Sequence, residues 1–224
     1  DWPDMKLFDD MLAGFDIVGF QEPSHVFDLE PRPQIISAEE LWDVSKFVRP
    51  ALLGKVKSSE QDADLEELWR ITLEETSANG WMLGPFSVEQ MHERTGGKPW
   101  IPVRRFGVWQ TSGDKTKLRP IDDYAENRVN SAFGYSDKLD LRTLDQVIWC
   151  AAAVVRCLHE GTVEFFLSDG SVLSGRLHEA YRNVDDGKPV ISVLDLASAY
   201  KQFALSPSCR LMSIITLREP STGQ

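Results

Sequence analysis

The chain has 224 residues, 42% of them hydrophobic and 26% charged, with a formal net charge of −11. This suits one large globular domain or two small ones with ample material for a core, and no apolar run approaches the roughly 18–20 residues needed to cross a bilayer. A general nucleic-acid coat is excluded by the acidic balance, because neutralising phosphates requires Lys and Arg.

In chain order, residues 1–35 read as irregular, since Pro23, Pro31 and Pro33 interrupt any regular element. Ser37-Ala38-Glu39-Glu40 is a capping box, and Leu41, Trp42, Phe47 and Val48 follow at helical spacing. A second helix is predicted over 61–76, with Leu65, Leu68, Trp69 and Leu73 along one face. Gly80 to Pro85 breaks the pattern. Ser87-Val88-Glu89-Gln90 is another capping box, opening a short helix that stops near Gly96-Gly97.

From Trp100 the period changes to that of strands. The segments 101–110 and 117–121 flank Thr111-Ser112-Gly113-Asp114 and predict a hairpin. Its tip carries Lys115 and Lys117, and Lys117 shares a face of the returning strand with Arg119. A helix is predicted over 141–159 with Gly161 as its stop, then a second hairpin of 162–167 and 172–177, then a brief helix over 177–183. The run Pro189 to Leu194 is apolar and β-branched enough for a buried strand, and another strand covers 211–217.

Charge is unevenly spread. From Asp1 to Asp43 the only cations are Lys6 and Arg32, whereas Lys98, Arg104, Arg105, Lys115, Lys117 and Arg119 are opposed only by Asp114. A basic finger on an acidic body suits local phosphate binding. Cys150, Cys157 and Cys209 form no Cys-x-x-Cys pair, which favours a reducing, intracellular setting without distinguishing nucleus from cytoplasm. The four histidines lack zinc-ligand spacing. With no initiator Met or signal core at Asp1 and a turn-like end at Gln224, both ends read as cuts in a longer chain.

The strand before Asp195 turns directly into Leu196-Ala197-Ser198-Ala199-Tyr200-Lys201-Gln202. A carboxylate inside such a strand would be costly without a compensating partner. At the strand's last position it projects from the sheet rim, where it serves a metal or caps the following helix. Asp-x-x-x-Ala-Tyr after a hydrophobic strand resembles the first palm motif of reverse transcriptases. Lys115-Thr116-Lys117-Leu118-Arg119-Pro120-Ile121-Asp122-Asp123-Tyr124, followed by Val129-Asn130, is similar to that family's fingers motif. The two occur in the family's order.

The resemblance implies an α+β fold: reverse-transcriptase-like fingers and a partial palm with antiparallel strands, after a helical N-terminal region. The expected division is 1–98 (helical), 99–188 (fingers with an inserted helix and hairpin) and 189–224 (start of the palm). It further implies an RNA-directed DNA polymerase of retrotransposon type, joining deoxynucleoside triphosphates to a DNA primer on an RNA template by two-metal chemistry. Asp195 would be the catalytic metal ligand with the Leu196 carbonyl beside it, and the ion Mg²⁺, or Mn²⁺ in its place. Lys115 or Lys117, with Arg119, would clamp the triphosphate, helped by the Ser198 and Ala199 backbone N–H groups at a helix N-terminus. Tyr200 would act as a steric gate against a 2′-hydroxyl. Arg104 and Arg105 are candidates for contact with the template backbone, and Asp123 is expected to be structural.

The family's later Leu-Pro-x-Gly and aromatic-x-Asp-Asp motifs do not occur. A fragment inactive alone is therefore expected, completed by the remaining palm and thumb of the same polyprotein and needing no membrane. The alternative is a domesticated, non-catalytic module binding RNA or protein. Its Trp2, Trp42, Trp69 and Trp81 could serve such contacts, although a binding module needs neither Asp195 nor Tyr200.

Overall fold

The computed structural model describes residues 4–58, 64–77, 80, 82–138, 144–167, 169–181 and 203–222. They form a mixed α+β structure in two compact units, one of residues 1–139 with 198–224 and one of residues 140–197. Among the described residues, no helix is long and apolar enough to cross a membrane.

The N-terminal segment is more ordered than its prolines suggest. Helix α1 (Lys6–Ala13) is followed by strands β1 (Gly19–Gln21) and β2 (Leu29–Arg32). Both pair with β5 (Phe133–Asp137), β1 in parallel and β2 antiparallel, in the order β1-β5-β2. This corrects the expectation of an irregular stretch over 1–35. The strands are three and four residues long, too short to show a period of two, and their partner lies about a hundred residues away in sequence. Pro31 is tolerated because β2 is an edge strand, where a missing N–H costs no ladder bond.

Helix α2 (Ala38–Ser58) starts at the capping box read from sequence: Ser37 N–H donates to Glu40 Oε2 at 2.7 Å, and Glu40 N–H to Ser37 Oγ at 3.1 Å. It buries Leu41, Ser45 and Leu52, whereas Phe47, placed by its spacing on the apolar face, is 78% exposed. Helix α3 (Leu65–Ser77) buries Leu65 and Leu68. Helix α4 (Val88–Arg94) carries the second capping box, between Ser87 and Gln90. The core joins Leu41, Ile101, Val129, Ala132, Cys209 and Met212, with Ile17, Ile36, Trp42 and Tyr124 packed around it.

Strands β3 (Pro102–Ser112) and β4 (Lys115–Asp123) form the predicted hairpin, longer than expected and closed by the two-residue turn Gly113-Asp114. Gly113 has a φ of 58°, the left-handed region such a turn requires. On the other side of β3 lies β8 (Ile214–Thr216), paired in parallel as Pro102–Ile214 through Arg104–Thr216. The antiparallel expectation therefore holds for the hairpin but not for β8, whose entry runs alongside β3. Parallel pairs need long crossovers, which short-range pattern does not reveal.

In the second unit, α5 (Leu144–Glu160) ends at Gly161, whose φ is 72°. It is followed by the antiparallel hairpin β6 (Thr162–Phe166) and β7 (Val172–Arg176). Trp149 packs on Phe165 with ring centroids 5.5 Å apart. Glu179–Tyr181 forms a single 3-10 turn within the predicted brief helix.

Candidate functional site: the β3–β4 hairpin

Alternation along the strands gives the hairpin two faces. One carries Lys115, Lys117, Arg119 and Asp123 from β4 opposite Ser112, Gln110, Val108 and Arg104 from β3. The other carries Leu118 and Asp122 with Trp109, Gly107 and Arg105. Leu118 is buried beside Gly107, where a Cβ would lie 2.6 Å from Leu118 Cδ1. As the edge of its sheet, β4 displays charges and Pro120, which discourage pairing with another strand.

Lys115, Lys117 and Arg119 are all exposed and make no side-chain hydrogen bond or ion pair among the described residues. The row is available to an anion. It stands on a base built from buried charge.

Arg105 forms the centre of that base, with a side chain 0% exposed. Its Nε donates to Asp122 Oδ1 at 2.7 Å and its Nη2 to Asp122 Oδ2 at 3.0 Å, a two-pronged pairing. Its Nη1 donates to Glu75 Oε2 at 2.7 Å and to Thr72 Oγ1 at 3.0 Å, tying the hairpin to α3. Burial by itself would lower the pKa of Arg105, but the Asp122 and Glu75 carboxylates outweigh it and raise the value.

The expectation that Arg105 touches the template backbone is therefore corrected: its guanidinium is enclosed and committed. Arg104 lies on the cation face, but its Nε donates to Glu126 Oε2 at 2.6 Å and its Nη2 sits 3.6 Å from Asp123 Oδ2. Contact with a template would have to break that pairing.

Asp123 is structural, as expected: its Oδ1 accepts from the Ala125 and Glu126 N–H groups at 3.0 and 2.9 Å and closes the turn after β4. Tyr124 bonds Ser213 through its hydroxyl at 2.5 Å, linking the end of β4 to the segment entering β8. Burial pushes the Tyr124 phenol up, despite the Ser213 bond. The asparagine that matters here is Asn127, not the exposed Asn130. Buried Asn127 donates to the Pro102 carbonyl at 3.0 Å and accepts from Val129 N–H at 3.1 Å. No local signal marked it, because the Pro102 carbonyl that it meets lies 25 positions away.

Glu126 also receives a bond from Lys55. Burial alone would raise its carboxyl, but the Lys55 and Arg104 bonds hold it below the ordinary 4.5. A lowered folded-state pKa adds stability above the unfolded value, and that stability is lost as pH falls through the folded value. Acid titration should therefore destabilise the wild type more than Glu126→Gln below about pH 4.5, compared by thermal melts at pH 3 to 7. Parallel melting curves would refute the contribution.

Asp195, Leu196, Ser198, Ala199 and Tyr200 lie outside the described residues. The segment just after them is anchored. Phe15 N–H donates to the Ala204 carbonyl at 2.8 Å, Ser206 N–H to the Phe15 carbonyl at 3.0 Å, and Phe203 meets Phe15 edge-on at 5.3 Å. Among the described residues, no group of three or more His, Cys, Asp or Glu is arranged to hold a metal.

Compared with protein-family models, curated proteins and solved structures, the chain matches none.

Proposed function

We propose that the chain forms the fingers and the opening of the palm of a retroelement RNA-directed DNA polymerase, using an RNA template, a DNA primer and deoxynucleoside triphosphates. The observation that supports this reading is the row of exposed cations at Lys115, Lys117 and Arg119, without ion-pair partners among the described residues, on a hairpin whose base is held by Arg105. A triphosphate needs several positive donors at fixed spacing. Alternate residues on a strand repeat at about 6.6 Å, and long Lys and Arg side chains on one face can converge from that spacing on the adjacent phosphates of one triphosphate. Arg119 supplies a planar fork for two phosphate oxygens, and the lysines supply point charges.

By the resemblance, Asp195 and the Leu196 carbonyl would hold Mg²⁺. When bound, the ion neutralises phosphate charge and favours attack of the primer hydroxyl on the α-phosphorus. The Ser198 and Ala199 N–H groups orient the triphosphate, and the Tyr200 ring excludes a 2′-hydroxyl.

Titration calorimetry with a deoxynucleoside triphosphate and Mg²⁺ tests the clamp. Arg119→Ala should weaken binding about 10- to 150-fold, the equivalent of one charge-assisted contact of about 1.5–3 kcal/mol. Lys115→Ala and Lys117→Ala decide which lysine contributes similarly. Unchanged affinity in all three variants would sink the clamp. In the full-length protein, Asp195→Asn should abolish primer extension and Tyr200→Ala should relax discrimination against ribonucleotides. Extension surviving in Asp195→Asn would refute the catalytic assignment.

A further inference from the structure

Among the described residues of the second unit none is buried, so its helix and hairpin leave their apolar side chains open. Helix α5 shows this most clearly. Its Trp149, Ala152, Ala153, Arg156 and Glu160 line the side toward β6, where Trp149 meets Phe165. A helix turns by about 100° per residue, which puts those positions on one face and Val147, Ile148, Ala151, Val154 and Val155 on the opposite one. The four branched residues of that second face are 39–56% exposed.

Two properties of the exposed stripe define what fits it. The run from Val147 to Val155 contains no charged residue, so a strongly charged surface has nothing there to pair with. The pattern also reads nearly the same in both directions. Val147 and Ile148 stand four and three positions before Ala151, and Val154 and Val155 three and four after it, with Leu144 and Leu158 seven away on either side. Symmetry about one residue is what a two-fold contact demands, because one patch must then complement itself. In an antiparallel pair crossing at Ala151, Val147 faces Val155 of the second copy and Ile148 faces its Val154. The small Ala151 at the crossing lets the two helices approach closely.

We propose that α5 is a dimerisation helix, through which two copies of this chain pair antiparallel along the Val147–Val155 stripe. The inference uses the second unit alone and is independent of the polymerase reading. A helix of 17 residues is roughly 25 Å long. The interface is therefore small, and the dimer belongs near micromolar affinity.

Sedimentation equilibrium of the whole chain over about 1 to 200 μM tests it. The mean mass should rise with concentration from 25.3 kDa toward twice that value. Ile148→Lys or Val154→Glu alone should weaken association about 10- to 100-fold, because each sets an unpaired charge against an apolar side chain. Mixed in equal amounts, the two variants should associate again, since the antiparallel register brings the new lysine opposite the new glutamate. Circular dichroism verifies that each variant keeps the wild-type helix content. A wild type that stays monomeric across the range would overturn the proposal. So would a dimer indifferent to both substitutions, or two defective variants that do not restore each other.

Discussion

Replacing Arg105 by Met is expected to cost about 3–5 kcal/mol of folding stability, read from urea denaturation. The side chain is 0% exposed, and Met fills much of its volume while removing every donor. Asp122 and Glu75, with side chains 20% and 8% exposed, then lose the guanidinium that they share. The loss therefore comes mainly from the broken charge pairs, not from a cavity. Since domains of this size are stable by only about 5–15 kcal/mol, the variant should be marginal.

The origin of the loss can be tested by removing the carboxylates as well. Substituting Asp122 and Glu75 by Leu in the Arg105→Met background should recover most of it at neutral pH, because apolar groups of similar volume satisfy such a site well. A single variant within about 0.5 kcal/mol of wild type, the size of an ordinary surface substitution, would show that the cluster does not lock the hairpin. For contrast, Arg104→Ala, whose side chain is 25% exposed, should cost only about 1 kcal/mol.

Gly14→Ala should be the second large effect, about 2–5 kcal/mol from backbone strain and overpacking together. Gly14 has φ 97° and ψ 149°, a conformation that residues with a Cβ rarely adopt. A Cβ there would lie 2.6 Å from the Leu205 carbonyl carbon and the Ser206 nitrogen, both backbone atoms that cannot rotate away. The damage should be local. Hydrogen exchange should show lost protection at Phe15 and Ser206, whose N–H groups bond across this contact, while the β3–β4 ladder stays protected. Gly80→Ala is the control: φ is also positive, at 63°, but among the described residues nothing lies within 4 Å of the new Cβ, so mainly the cost of left-handed backbone remains, about 1–2 kcal/mol. Equal losses at the two positions would refute the steric argument. If the segment after Gln202 must be held for polymerase chemistry, Gly14→Ala should also depress activity more than Gly80→Ala.

Elements whose cause is local were legible in the chain. The two capping boxes, the stop at Gly161 and both hairpins depend on residues a few positions apart, and the structure has all of them. Lys117 and Arg119 were placed on one face because a strand alternates whatever its neighbours, and the structure extends β4 so that Lys115 joins them. Phe47 shows the limit, since a correct helical period does not say which side the rest of the protein will cover.

Arg104 and Arg105 are adjacent and of one residue type, so the sequence could establish only that they are basic and point to opposite faces. Tertiary structure alone decided that Arg105 is enclosed by α3 and Asp122 while Arg104 stays partly open to solvent beside Glu126. In the same way β1 and β2 exist because β5 is there to receive them, and Asn127 matters because the Pro102 carbonyl needs a donor. Short-range chemistry determines capping, turns and alternation. Burial and charge pairing are properties of the partner a residue meets, and that partner is set only when distant segments pack together.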